Sequence, residues 1–334
     1  FITQGLFGGY NAVFSHARFH QVSVLYGDFQ ERDLWEYRLD LTPYQVELVV
    51  AHTWELLGKE FPYYFSGSNC AYRTAAVLNL VLDESLDNQF KPWTMPHDTF
   101  NNLMRQRTAD DNPLVSGVHY HPSQGSIVTS TWNRLDNAQQ KVVHEFIAAP
   151  NMGRLQALPS EPGNLMVVDT LIQYYSNQFT NNAEPTHNPE LWQALLAYRL
   201  TLPPTPVVKA KAAGRARPIH EANYPTLLQV TSLYNEQLGA GVETRFRLSY
   251  YDFLARPNAR PPFTELAMLD VQVLTTESSG ISLRRLDLIN LTTLNVSRTG
   301  LPGDGGWAAR LRVGYQDTHQ GCMNCGEVYL DVGT

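Results

Sequence analysis

Cys70 is the residue on which chemistry could centre. Of the three cysteines, Cys322 and Cys325 form a Cys-x-x-Cys pair followed by Gly326. Such a pair has three readings: a tight local disulfide or structural pair, half of a zinc site, or a redox pair. Zinc needs two further ligands; His319 could be one, but there is no second Cys-x-x-Cys. A redox pair should open a helix, whereas strand-like residues follow Gly326. The local pair therefore leads, and Cys70 is left as the single thiol. A lone cysteine is usually a small buried apolar residue. The setting of Cys70 points further. It opens a stretch of helical spacing to about Leu82, with Ala71, Ala75, Leu78 and Leu82 as its apolar stripe. Ser68 or Asn69 is the natural N-cap. Unpaired amides and the positive dipole end at a helix start favour a thiolate, and the thiolate is the nucleophile.

A nucleophilic cysteine also needs a base, usually histidine. Ten histidines are present. His16 and His20 lie upstream on a strand-like segment, His52 lies on a helix, and His97, His119 and His121 lie in expected loops. Papain-type sites set a helix-start cysteine against a strand histidine. That favours His16 or His20, and spacing does not choose between them. The run Arg32-Asp33-Leu34-Trp35-Glu36-Tyr37 reads either as a salt bridge on a strand edge or as polar support around the thiol, with Arg32 and Tyr37 as its members. Tyr63-Tyr64-Phe65, just before the cysteine, could line a substrate, although aromatic runs more often fill cores. No phosphate loop, H-E-x-x-H, G-x-S-x-G or dinucleotide fingerprint occurs, and neither metal nor cofactor is expected.

These residues must be placed by surrounding elements. Thr42-Pro43-Tyr44-Gln45 is a helix start with a capping box, and Val46, Val49, Val50, Trp54 and Leu57 follow on one face until about Gly58. Short strands are expected upstream at Ala12 to Phe14, Gln21 to Tyr26 and Leu34 to Leu39. Helices are expected at Asp98 to Gln106, Asn137 to Ala148, Met166 to Gln178 and Pro189 to Leu200. Leu202 to Pro218, rich in Pro, Ala and Lys, reads as a linker. From Thr226 the period becomes two, with strands at 242–250, 266–275, 281–294, 307–313 and 328–332. The expected class is α+β: a thiol domain over 1–124, a helical segment over 125–204, and an antiparallel β domain over 205–334, open or a truncated barrel.

The chain has 334 residues, 43% of them hydrophobic, with 17 tyrosines, 14 phenylalanines and 6 tryptophans. That aromatic content excludes disorder for most of its length. The net charge of −7 is not clustered, which argues against a nucleic-acid binder. No run of apolar residues is long enough for a membrane-spanning helix. No signal peptide is legible, and both ends read as cuts within a longer, processed protein.

At Tyr63-Tyr64-Phe65-x-x-x-Asn69-Cys70-Ala71-Tyr72-Arg73 the chain resembles the Lnb N-terminal periplasmic domain family of bacterial envelope proteins. The likeness extends to Gly5-Leu6-Phe7-Gly8-Gly9, Tyr26, Glu31 to Tyr37 and Leu41-Thr42, and downstream to Pro96-x-Asp98-Thr99 and Pro122-Ser123. The resemblance implies a circularly permuted papain-like fold of the NlpC-like kind. It implies Cys70 as nucleophile, with Asn69 orienting the helix start. It implies transfer of a phospholipid acyl chain, through a Cys70 thioester, to the N-terminal amine of a lipoprotein. Phospholipid, lipoprotein and a membrane surface are thus the expected partners, in the periplasm or at the outer membrane. The family's histidine stands in a Gly-His strand motif, which this chain lacks, so the role passes to neither His16 nor His20. The motif is expected upstream of Phe1, and the chain alone would then be inactive. Two other readings share the fold: a cysteine peptidase or amidase acting on peptidoglycan, and a non-enzymatic envelope scaffold.

Overall fold

A computed structural model of the chain describes residue 9 and residues 11–65, 67–86, 93–159, 161–181, 189–204, 217–236, 238–255, 263–318 and 325–334. The Gly5 to Gly8 motif, Cys322 and nearly all of the expected linker lie outside the described residues.

The first part of the chain is built from short elements. β1 (Asn11–Val13) pairs antiparallel with β3 (Glu60–Pro62). β2 (Leu34–Leu39) pairs antiparallel with β4 (Val115–His121). Between β2 and β3 runs α2 (Pro43–Leu56), which starts as its sequence dictates. Thr42 Oγ1 accepts from the Gln45 amide at 3.3 Å, Gln45 Oε1 accepts from the Thr42 amide at 2.9 Å, and Pro43 sits where no amide donor is needed. Gly58, at φ +75°, lets the chain leave the helix. α3 (Cys70–Leu78) and α4 (Pro96–Leu103) follow. Leu86, Leu103, Leu114 and Val115 close over Ala75, with Tyr37, Leu78 and Phe100 packed against them.

Three expectations are corrected here. The stretch from Gln21 to Tyr26 is helical: α1 (Phe19–Ser23) continues as a π-helical turn, Val24–Phe29. The alternation of Val22, Val24 and Tyr26 suggested a strand. The Gln21 side chain instead accepts from the Arg18 amide at 3.2 Å and closes a helical first turn. His97 stands on α4, and His119 and His121 stand on β4, so none of the three lies in a loop. The apolar stripe of α2 is largely exposed: Val46, Val50 and Trp54 are 45%, 60% and 75% exposed. Periodicity marks a face, but it does not say what packs on it.

A helical layer follows: α5 (Gln124–Trp132), α6 (Asn137–Ala148), α7 (Met152–Gln156), α8 (Pro162–Asn181) and α9 (Pro189–Thr201). α8 is the hub. Its Val167, Val168 and Leu171 are essentially without solvent contact, packed with Val143, Leu155 and Leu195 from neighbouring helices. We expect Leu171→Ala to cost about 2–5 kcal/mol through lost burial and a cavity. Urea unfolding followed at the helical circular dichroism band measures it, and a loss below that of an exposed Leu200→Ala control would contradict this packing.

The last part is one six-stranded antiparallel sheet in the order β10-β9-β8-β7-β6-β5. Its strands are β5 (Leu227–Asn235), β6 (Gly239–Tyr251), β7 (Thr264–Thr276), β8 (Gly280–Thr293), β9 (Ala309–Asp317) and β10 (Gly326–Gly333). Among the described residues the sheet is open, with β5 and β10 at its edges, and it does not close into a barrel. The chain is thus α+β, as expected.

The register separates the two faces of this sheet. One row of paired residues reads Val328, Tyr315, Leu286, Val271, Phe246, Leu228 across all six strands. The adjacent row, on the opposite face, reads Glu327, Gln316, Arg285, Gln272, Arg245, Gln229. Ion pairs fill the polar face. Asp270 takes Arg245 Nε at 2.8 Å, and Asp287 takes Arg285 Nε at 2.7 Å together with the Tyr329 hydroxyl. Gly314 is required beside Tyr329, because a β-carbon there would meet the Leu286 carbonyl and the tyrosine ring.

Candidate active site around Cys70

Cys70 is the first residue of α3, it is exposed, and it is a free thiol. Its helix is capped by Asn69, which settles the choice between Ser68 and Asn69. Asn69 Oδ1 accepts from the Tyr72 amide at 3.0 Å. The same amide group donates to two carbonyls, Phe65 at 2.9 Å and Thr94 at 2.7 Å. Asn69 is 5% exposed, so all three bonds are shielded from water. One side chain thereby ties the helix start to the aromatic turn before it and to the strand of chain before α4. The amides of Cys70 and Ala71 carry no hydrogen bond among the described residues, as at the first turn of any helix. Two donors and the positive dipole end thus lie beside an exposed thiol. Such an arrangement can bind developing negative charge on an oxygen.

Tyr63 and Phe65 pack edge to face with centroids 5.9 Å apart, and Tyr64 is 38% exposed. Sequence reading gave Arg73 no role. Its guanidinium donates to Ser68 Oγ at 2.9 Å and lies over the Phe61 ring at 4.4 Å. Its position three residues after Cys70 on one helix was the available signal.

The other candidates make their contacts elsewhere. Arg32 is exposed and lies 5.9 Å from the Tyr26 ring. Tyr37 packs on Phe100 and hydrogen-bonds His220 Nδ1 at 2.8 Å. His16 and His20 are exposed. His97 is buried and bonded to the Ala222 carbonyl at 3.0 Å, and His121 meets Glu36 at 2.9 Å. Among the described residues no histidine hydrogen-bonds Cys70. Cys325 is disulfide-bonded. No group of metal-ligating side chains is assembled among the described residues.

His220 was not singled out from sequence, since 183 positions separate it from Tyr37. Burial holds its pKa below the ordinary value, His97 lowers it further, and Glu221 opposes this. Burial pushes the Tyr37 hydroxyl up to about 12, so it stays protonated where it shares its 2.8 Å hydrogen bond with His220 Nδ1. With the folded pKa lowered, the unfolded chain binds more protons between that value and about 6.5, and stability rises with pH there. The contribution of His220 is complete above about pH 6.5 and is lost as pH falls through the lowered folded value. We expect His220→Gln to flatten the pH dependence of urea unfolding below about pH 6.5. An unchanged slope would remove His220 as its source.

Fold and site define an α+β protein with an exposed, free cysteine at a tethered helix start. Residues 1–106 match the family model of the Lnb N-terminal periplasmic domain, the family that the Asn69-Cys70 run suggested. That family is described as a periplasmic domain, which agrees with the expected envelope location. No curated protein and no solved structure matches the chain. No helix among the described residues is long and apolar enough to cross a membrane.

Proposed function

We propose that the protein is a thiol acyltransferase of the bacterial envelope, working on a permuted papain-like scaffold. The supporting observation is the free, exposed Cys70 at a helix start anchored by buried Asn69, inside the segment that matches the Lnb domain. The Cys70 thiolate attacks an ester carbonyl of a phospholipid. The tetrahedral oxyanion takes hydrogen bonds from the Cys70 and Ala71 amides. The ester C–O bond breaks, and the lysophospholipid leaves with the proton that the thiol gave up. The α-amine of a lipoprotein then attacks the thioester, an amide forms, and the amine's proton restores the thiol. Two steps through a thioester replace one difficult transfer. Tyr64 lines the approach for the acyl chain, and Tyr63 with Phe65 supports it.

The test is intact mass after incubation with phosphatidylethanolamine vesicles. An adduct of acyl mass that hydroxylamine removes and that Cys70→Ala lacks is the expected result. A folded protein that never acquires the adduct, in this chain or in longer forms of the gene product, would sink the lipid donor. Hydrolysis of peptidoglycan peptides, dependent on Cys70, would then take its place.

A further inference from the structure

The six-stranded sheet is polarised against its solvent. A sheet in a water-soluble protein turns its apolar rows towards a core and its charges towards water. Here Asp270 and Asp287 are 2% and 1% exposed, whereas Val328, Leu330 and Ile281 are 84%, 69% and 78% exposed. No strand residue of this sheet belongs to either hydrophobic core among the described residues. From the row that contains Leu228 to the row Val332, Leu311, Leu291, Leu266, Tyr251, the paired apolar-face residues include no charged side chain. The opposite face satisfies itself: Asp270 with Arg245, Asp287 with Arg285 and Tyr329, and Glu265 with Asn290.

We propose that the apolar face of this sheet is lipid-facing, and that the sheet is a sector of a membrane-embedded β-structure. The charge pattern fits hydrocarbon, which rewards an uncharged exterior and requires that charges turned away from it be paired. On β6 the charge-free rows run from Phe246 to Tyr251, about 17 Å along the strand, and the Arg284–Asp317 ion pair bounds them on β8 and β9. Aromatic side chains gather at one end of the strands, where Trp307, Phe253 and Phe263 are 74%, 41% and 40% exposed. Membrane strands carry such a girdle at the interface. A protein partner would cover the face without calling for a charge-free band across all the strands. The backbone along β5 and β10 must also be paired in lipid, so further strands join these edges in the membrane.

The experiment uses the full chain with vesicles of phosphatidylethanolamine and phosphatidylglycerol. Flotation through a sucrose gradient measures association, and carbonate washing separates insertion from adsorption. Single cysteines at Leu330, Leu283 and Val230, and at Gln229 and Gln272 on the other face, carry an environment-sensitive dye in a Cys70→Ala background. Nitroxide lipids of graded depth then report position. We expect carbonate-resistant flotation, strong quenching at the first three sites and little at the last two. Leu283→Arg or Leu330→Arg should lower the inserted fraction by about 30-fold. Circular dichroism establishes that each variant is folded, and the dye series does not depend on the arginine variants. Equal quenching on both faces, flotation lost in carbonate, or a soluble dimer dissociated by Leu330→Arg would each overturn the proposal, the last by assigning the face to a second copy.

Discussion

Asp287→Ala lowers the stability of the sheet by about 3–5 kcal/mol, because it strands two guanidinium groups around a site closed to water. Arg285 Nε lies 2.7 Å and Arg312 Nε 3.7 Å from its carboxylate, and the Tyr329 hydroxyl donates to it as well. The carboxylate is 1% exposed, so water cannot replace it. The contrast is Asp331, which meets Arg312 at 3.9 Å while 47% exposed. Its replacement by alanine changes stability by less than about 1 kcal/mol. Both are measured by urea unfolding in nonionic detergent, read at the β-sheet circular dichroism band. Equal effects of the two substitutions would mean that the ion-pair face is open to solvent and that burial does not set its energetics.

Asn69→Ala removes three bonds at once. Loss of the cap costs about 1 kcal/mol, and loss of the two bonds donated to Phe65 and Thr94 costs about 1 kcal/mol each. Stability falls by about 2–3 kcal/mol on that reckoning. The effect on chemistry is larger, since a misplacement of about 1 Å in a reacting group can cost about 100-fold in rate. We expect formation of the Cys70 adduct to slow by about that factor. Asn69→Asp separates the causes: it keeps an acceptor for the Tyr72 amide and loses both donors. If the tether to Thr94 matters, aspartate behaves like alanine in the adduct assay while regaining the cap's share of stability. Wild-type rates in both variants would assign Asn69 to helix stability alone.

Most of the helical layer was legible. The Thr42-Pro43-Gln45 start, the helix Asn137–Ala148 and the strand Leu34–Leu39 stand where local pattern places them. Local rules suffice there, because capping and apolar period act within a few residues of one another. Gln21 to Tyr26 fails for the converse reason. Its β-branched alternation is short, and contacts with α5 and α8 hold the following turn in helical form.

Sequence alone placed Cys70 at a helix start. The helix, a cap at Ser68 or Asn69 and the aromatic run before them follow from residue types and spacing, and the structure chose Asn69. Sequence also determined that every strand after Thr226 has two unlike faces, since alternation is written into the chain. It did not determine which face is buried. Alternation is symmetric between a core and a lipid exterior, and only the pairing of Asp287 with Arg285 and of Asp270 with Arg245 turns the charges inward. Tertiary structure likewise decided that Tyr37 serves His220, and that Asn69 reaches Thr94. Those bonds join residues far apart in sequence, and no local propensity encodes a distance that only the packed elements between them create.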